Sequence, residues 1–253
     1  MSPLQTFAQG HGLIDDLRRR IHAIDGSALR ERAVLPFGLA PIDGHLPGGG
    51  LALGALHEVA GRRGDASHGA AATLFVAGLL ARLEAPVLWV IRRRDLFAPG
   101  LAQAGLHPDR VVYAEAVSAA SLLLVMEEGL KHAGLAAVVG EIDRLPLAVS
   151  RRLQLAAEKT GVLALALRRW RAVEADENTA AVTRWEVGAA PSAPLATPGL
   201  GRARWALDLV RCRNADKASW IVEAADAQGH LALPAEAADR PVAARRGRGR
   251  RAA

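Results

Sequence analysis

Residues Gly61 to Phe75 read GRRGDASHGAAATLF and follow the apolar stretch Ala55–Ala60, ALHEVA. A glycine-bounded turn between an apolar strand and an apolar helix is where a nucleotide-binding chain holds phosphate. Backbone N–H groups surround the anion, a lysine reaches the β- and γ-phosphates, and a hydroxyl binds magnesium, in the pattern G-x-x-x-x-G-K-[ST]. Gly61 and Gly69 can supply the turns. The lysine position, however, is Ala70 and the hydroxyl position is Ala71, and seven residues separate the two glycines. Thr73 comes one turn too late, and the cations Arg62 and Arg63 sit at the start of the loop, away from the transferred phosphate. The spacing predicts a degenerate phosphate loop without turnover; weak binding through backbone N–H groups alone stays open.

Other chemistry is sparse. The eight histidines (11, 22, 45, 57, 68, 107, 132 and 230) show no H-x-x-x-H or comparable ligand spacing, so no metal site is expected. No G-x-S-x-G elbow occurs. Cys212 lies in an alternating strand pattern, WALDLVRCR, and reads as a quiet structural thiol. Its being the single cysteine excludes an intramolecular disulfide and a cysteine-based zinc cluster. No cofactor is expected. Arginines cluster at Arg18–Arg20, Arg92–Arg94, Arg151–Arg152 and Arg168-Arg169-Trp170-Arg171, at or near the ends of elements. They are either solvated strand and helix ends or a surface for nucleic acid or a partner.

The elements that must hold these residues follow from hydrophobic period. Leu13, Ile14, Leu17, Ile21 and Ile24 share one face of a helix over 11–25, which packs on its own core or on a partner. Residues 34–54 are rich in Gly and Pro and read as a structured, turn-rich linker. Strands at 55–60, 86–91, 111–113, 135–140 and 162–167 then alternate with helices at 70–83, 95–105, 118–133 and 146–160. Ser118 is placed as an N-cap and Pro146 in a first turn. Short apolar strands spaced by helices predict an α/β fold with a mostly parallel sheet covered on both faces. Beyond Leu167 the period changes: 180–188, 203–211 and 220–223 alternate, with a turn at Asn214–Lys217 and a loop at 189–201, so antiparallel strands should close the sheet.

Of the 253 residues 51% are hydrophobic but only 4% aromatic, enough for one sizeable core of Ala, Leu and Val. The net charge of +6 is unevenly placed. The last 13 residues hold five arginines (Arg245, Arg246, Arg248, Arg250 and Arg251) and no acid, which leaves 27 basic and 26 acidic residues elsewhere. Such a tail either solubilises the chain or touches nucleic acid or an acidic partner. No apolar run is long enough to span a membrane and no signal pattern opens the chain, so the cytoplasm is the expected compartment. The expected organisation is an N-terminal helix and linker over 1–33, a core over 34–232, and a disordered Arg-rich tail over 233–253.

One further pattern is the order of segments. LPGGGLALGALHEVAG, a loop and an apolar helix resemble the start of the RecA core. Five segments, PGGGLALGALHEVAG, LWVIRRRDLFAPGLAQAGLHPDRVVYAEA, LAAVVGEIDRLPLAVSRRLQLAAEKTGVLALALR, TRWEVGAAPS and ALDLVRCRNADKASWIVEA, lie in order over roughly residues 46–225. Together they are similar to the ImuA family, RecA-like accessory proteins of bacterial damage-induced mutagenesis, with DLFAPGLAQAGLHPDRV the most distinctive piece.

The resemblance implies a RecA-like fold and assigns further positions. The catalytic glutamate would fall in Arg92–Arg94, a cation in place of a carboxylate, and the magnesium-holding acid near Glu141. Glu141 itself reads as a solvated strand end or a partner of Arg144. The strand ending at Leu167 would lead into a DNA-contacting loop, making Arg168, Arg169 and Arg171 candidate contacts. RRDLF (Arg93–Phe97) resembles the end of sliding-clamp-binding peptides without their glutamine, and reads here as a helix N-terminus with Asp95 at its positive end.

The implied role is a non-catalytic adaptor that recruits an ImuB-like Y-family protein and an error-prone DNA polymerase, with RecA and the sliding clamp as further partners. It would dock through Leu13, Leu17 and Ile21 of the first helix, the outer core face, or the arginine tail. The alternatives are a SulA-like inhibitor of the tubulin-like division protein and a divergent DNA-dependent ATPase.

Overall fold

A computed structural model describes residues 32–169, 178–192, 199 and 201–234. The expected helix over 11–25, with Leu13, Leu17 and Ile21, lies outside the described residues. So do Trp170, Arg171 and the tail with Arg245, Arg246, Arg248, Arg250 and Arg251.

The turn-rich segment is part of the core rather than a linker. Two short strands, β1 (Val34–Leu35) and β2 (Leu51–Ala52), pair antiparallel around a four-residue helix α1 (Ala40–Asp43) and a 3-10 turn at Pro47–Gly49. Asp43 ties the segment by accepting from the N–H groups of Phe37, Gly38 and Leu39 at 2.6–3.1 Å. Phe37, Ile42 and Leu51 are buried against the main sheet.

The remaining elements alternate as expected: β3 (Leu56–Gly61), α2 (Ala66–Ala81), β4 (Val87–Ile91), α3 (Ala98–Gln103), β5 (Val111–Glu115), α4 (Ala119–Gly129), β6 (Ala137–Glu141), α5 (Leu147–Thr160), β7 (Leu163–Arg168), β8 (Thr183–Ala190), β9 (Arg204–Cys212) and β10 (Ala218–Glu223). Among the described residues, eight strands form one sheet in the order β10-β9-β8-β3-β7-β6-β4-β5. From β8 to β5 all neighbours are parallel, and β8-β9-β10 are antiparallel. The central strands β3, β6 and β7 are buried along their whole length, which accounts for their mostly apolar sequences, broken by His57-Glu58 in β3 and by Glu141 and Arg168 at strand ends.

Helices α2 and α3 cover one face and α4 and α5 the other. Helix α2 is apolar nearly all round because both sides are covered, by the sheet and by the segment after β10; a Cβ on Gly78 would lie 2.6 Å from that of Ala225. Ser118 caps α4 in a reciprocal capping box with Ser121, as its position predicts. Pro146 precedes α5 as its N-cap residue, and Gly161 ends that helix in the left-handed region at φ +80°. The β9–β10 turn falls where expected, with Asn214 at φ +64°.

The few aromatic side chains are concentrated. Trp185 lies 5.4 Å from Phe37, 6.2 Å from Phe75 and 6.1 Å from Trp220, ring centre to ring centre, under the antiparallel end of the sheet. Among the described residues no helix is long and apolar enough to cross a membrane.

Candidate functional site

The loop after β3 is short. Helix α2 begins at Ala66, so Gly69, Ala70 and Ala71 lie inside its first turns, not in a loop. The apolar pattern puts the start at Ala70, but Asp65 sets it earlier by capping: its carboxylate accepts from the His68 N–H at 2.9 Å. The His68 ring also meets that carboxylate, Nδ1 to Oδ1, at 2.8 Å. These bonds, the backbone one first, hold the Asp65 carboxyl below its usual range. A helix N-terminus attracts an anion. Here the protein's own carboxylate already occupies that position.

Two glycines mark close chain contacts rather than a cradle. A Cβ at Gly61 would meet the His68 carbonyl carbon at 2.8 Å and the Gly69 nitrogen at 2.9 Å. A Cβ at Gly69 would collide with the backbone oxygen of Arg169. The chain leaving β7 therefore lies directly on the first turn of α2. Thr73 is buried and donates to the Gly69 carbonyl at 2.8 Å, a bond internal to the helix. Arg62 turns toward the antiparallel end and pairs with Asp208 of β9, its stem lying over Gly188 of β8.

Glu141, at the end of β6, is neither a solvated strand end nor the partner of Arg144. It is buried and accepts from Trp89 Nε1 at 3.1 Å. Arg169 Nη1 donates to both its oxygens at 3.1 and 3.2 Å, and to Asp95 Oδ1 at 2.7 Å. Burial pushes the Glu141 carboxyl above its ordinary value, and Arg169 opposes that push. Asp95 thus serves Arg169 and not a helix N-terminus; α3 starts three residues later, at Ala98. Beside this group a cleft of about 180 Å³ opens among Arg92, Arg93, Glu141, Asp143 and Arg169. Arg92 reaches Asp143 at 2.8 Å, and Arg94 reaches Glu115 at 3.0 Å.

Arg168 and Arg169, expected as nucleic-acid contacts at a strand end, are instead buried. Arg168 is 1% exposed and Arg169 9%. Arg168 Nη2 donates to Glu58 Oε2 at 3.1 Å, and Arg184 Nη2 to Glu58 Oε1 at 3.0 Å. Thr179 also donates to Glu58. The register explains the meeting, since Glu58 on β3 stands directly beside Arg184 on β8. Its neighbour His57 faces Thr183 in the same way. The other arginines expected at a nucleic-acid or partner surface, Arg171 and the tail set Arg245, Arg246, Arg248, Arg250 and Arg251, lie outside the described residues.

His57 is fully buried between Thr183 Oγ1, 2.7 Å from Nδ1, and the Ala52 carbonyl, 2.8 Å from Nε2. Trp185 Nε1 donates to that same Thr183 oxygen at 2.8 Å. The consistent direction runs from Trp185 to Thr183, from the Thr183 hydroxyl to Nδ1, and from Nε2–H to Ala52. It fixes His57 as the neutral Nε2–H tautomer. Burial lowers its pKa to about 4.

Sequence reasoning misses these buried pairs. The available signal is His57-Glu58 inside an otherwise apolar strand. Along this end of the sheet the charged groups are partnered by one another: Asp65 caps the helix N-terminus, Arg169 covers Glu141, and Arg92 reaches Asp143. Among the described residues no group of three His, Cys, Asp or Glu side chains is placed to hold a metal ion.

No protein-family model matches the chain. Among curated proteins, Protein ImuA of Caulobacter vibrioides, from strains NA1000 and CB 15, is 41% identical over 227 residues, covering 83% of this chain and 93% of the relative. Among solved structures, the RadB recombinase superposes with a TM-score of 0.51 at 17% identity, over 79% of this chain and all of that one. SulA from Pseudomonas aeruginosa covers 45% of this chain with a TM-score of 0.38, a likeness too slight to bear on the fold. The parallel sheet flanked by helices, with its antiparallel C-terminal strands, is RecA-like. With two-fifths identity along nearly the whole of the Caulobacter relative, the chain belongs to the ImuA family.

Proposed function

We propose that the protein is a non-catalytic RecA-like adaptor of damage-induced mutagenesis. Membership of the ImuA family supports a role in that process. One observation supports the non-catalytic part: Asp65 caps the N-terminus of the helix after β3, and the Arg169 guanidinium covers the Glu141 carboxylate. Phosphoryl transfer depends almost wholly on positioning and charge stabilisation, and this chain has neither lysine, hydroxyl nor catalytic carboxylate at those places. A fold kept without that chemistry acts by recruitment: it holds an ImuB-like Y-family protein, an error-prone polymerase or RecA near one another and raises their local concentration.

The test is co-purification of the tagged full-length protein with the ImuB-like protein and RecA of the same organism, with the division filament protein as control. Retention of the ImuB-like protein or RecA is expected. Retention of the division protein alone would replace this reading with a SulA-like one. DNA-stimulated ATP hydrolysis above a buffer blank would replace it with an ATPase.

A further inference from the structure

The eight-stranded sheet ends differently at its two edges. Past β10 the chain folds back, and Glu223 and Ala232 exchange backbone N–H to C=O bonds at 2.7 and 3.4 Å. At the other end, β5 pairs with β4 alone among the described residues. The Ala116 N–H donates to the Ile91 carbonyl at 2.9 Å. Residues that bond a given neighbour alternate along a strand, so Val112, Ala114 and Ala116 face β4. Val111, Tyr113 and Glu115 turn their N–H and C=O groups out along the open edge.

Natural sheets blunt such edges with lysine, proline, a bulge or a covering segment. β5 reads VVYAE, keeps an unbroken register with β4 and carries none of these devices among the described residues. Its apolar side chains face solvent: Val112 is 55% exposed, Tyr113 40%, and Val117, just past the strand, 96%. We infer that β5 is a self-association edge, which pairs antiparallel with β5 of a second copy across a two-fold axis at Tyr113 and joins the two sheets into one.

The strand suits its own copy. A two-fold contact sets one patch against itself. With Tyr113 opposite the second copy's Tyr113, Val111 falls opposite Glu115 and Val112 opposite Ala114. Every outward N–H and C=O of the strand then has a partner. Moving the axis to residue 112 or 114 leaves Glu115 or Val111 without a strand partner. The side chains match too. Val112 and Ala114 meet on the α4–α5 side of the sheet, where Ala114 already packs, and Val111 and Tyr113 lie on the α2–α3 side. Glu115 brings no bare charge to the seam, because Arg94 pairs with it.

The test uses the full chain alone. Sedimentation from about 1 to about 100 μM should show a dimer that forms as concentration rises. Residue-resolved amide exchange should slow at Val111, Tyr113 and Glu115 over the same range. Val112 and Ala114, bonded to β4, should be protected at every concentration. Tyr113→Pro removes an N–H that faces outward, so the ladder with β4 loses no bond while the pair at the axis loses its own. Val112→Lys changes an exposed side chain and sets two lysines diagonally across the seam, about 7–8 Å apart. Each variant should weaken dimerisation by about tenfold or more. The inference fails if the parent stays monomeric over that range, or dimerises without slowing those three amides. It fails if the dimer survives both substitutions. It fails equally if the three amides are already protected in the monomer, which would mean that the chain covers its own edge.

Discussion

Arg169 Nη1 lies 3.1 Å from Glu141 Oε2, and both side chains are withdrawn from solvent. An acid at this strand end would help hold magnesium in a working site; here a guanidinium covers it. Breaking a buried pair by deleting one partner leaves the other charge uncompensated. Arg169→Met should therefore cost about 3 kcal/mol, the lower end of the usual range because Asp95 retains water. Glu141→Gln keeps an acceptor for Trp89 and leaves Arg169 with Asp95, and should cost about 1 kcal/mol. Urea unfolding of the two variants beside the parent measures this, and equal costs would show that the pair is not what holds the site closed.

The contact between Gly69 and the Arg169 backbone gives a second test. Gly69→Ala drives a methyl group into the Arg169 carbonyl oxygen, so backbone must move. A cost of about 2–4 kcal/mol is expected. Gly134→Ala, where an added Cβ meets nothing within 4 Å, should stay within about 0.5 kcal/mol of the parent. If the Gly69 variant is as stable as the Gly134 variant, the loop after β3 has more room than the closed site allows.

His57 gives stability a pH dependence of definite sign. Its pKa falls from 6.5 to about 4 on folding, because burial disfavours the charged ring. Between those values the unfolded chain binds the extra proton and the folded one does not, so stability is lost as pH falls from 6.5 towards 4 and levels off below. From pH 7 to pH 5 the loss from this one group is about 2 kcal/mol. In His57→Gln, whose amide can still donate to Ala52 and accept from Thr183, the slope of stability over pH 5–7 should shrink by that amount. An unchanged slope would place the titration elsewhere.

What is legible in the sequence is whatever depends on short-range period. The strand and helix succession from β3 to β7, the antiparallel ending and the turn at Asn214 follow from apolar spacing and turn chemistry. The apolar pattern misplaces the start of α2 because a cap, Asp65, begins that helix. Residues 34–54 read as a linker because Gly and Pro are loud locally, while the burial of Phe37, Ile42 and Leu51 is a long-range fact. The same holds at the site. The missing lysine and hydroxyl are visible in Ala70 and Ala71. That Arg168 and Arg169 turn inward is not, because their partners Glu58 and Glu141 lie 110 and 28 residues away. A cluster of arginines at a strand end looks the same in sequence whether it faces solvent or a buried carboxylate.

The adaptor reading predicts that nucleotide leaves the protein's stability alone. A ligand present at a hundred times its dissociation constant adds about 2.7 kcal/mol to folding, so a site with a Kd of about 50 μM would be plain at about 5 mM Mg-ATP. For a chain of this size that gain raises Tm by about 5 °C or more. With Asp65 at the helix N-terminus and the Arg169 backbone on Gly69, the expected rise is under about 1 °C. Asp65→Asn is the sharper probe: it keeps an oxygen to accept from the His68 N–H and removes the charge that repels phosphate. A rise in Tm with Mg-ATP only in that variant would identify the Asp65 carboxylate as what excludes nucleotide. A rise in the parent would mean that the loop opens, and the non-catalytic reading would then rest only on the absence of hydrolysis.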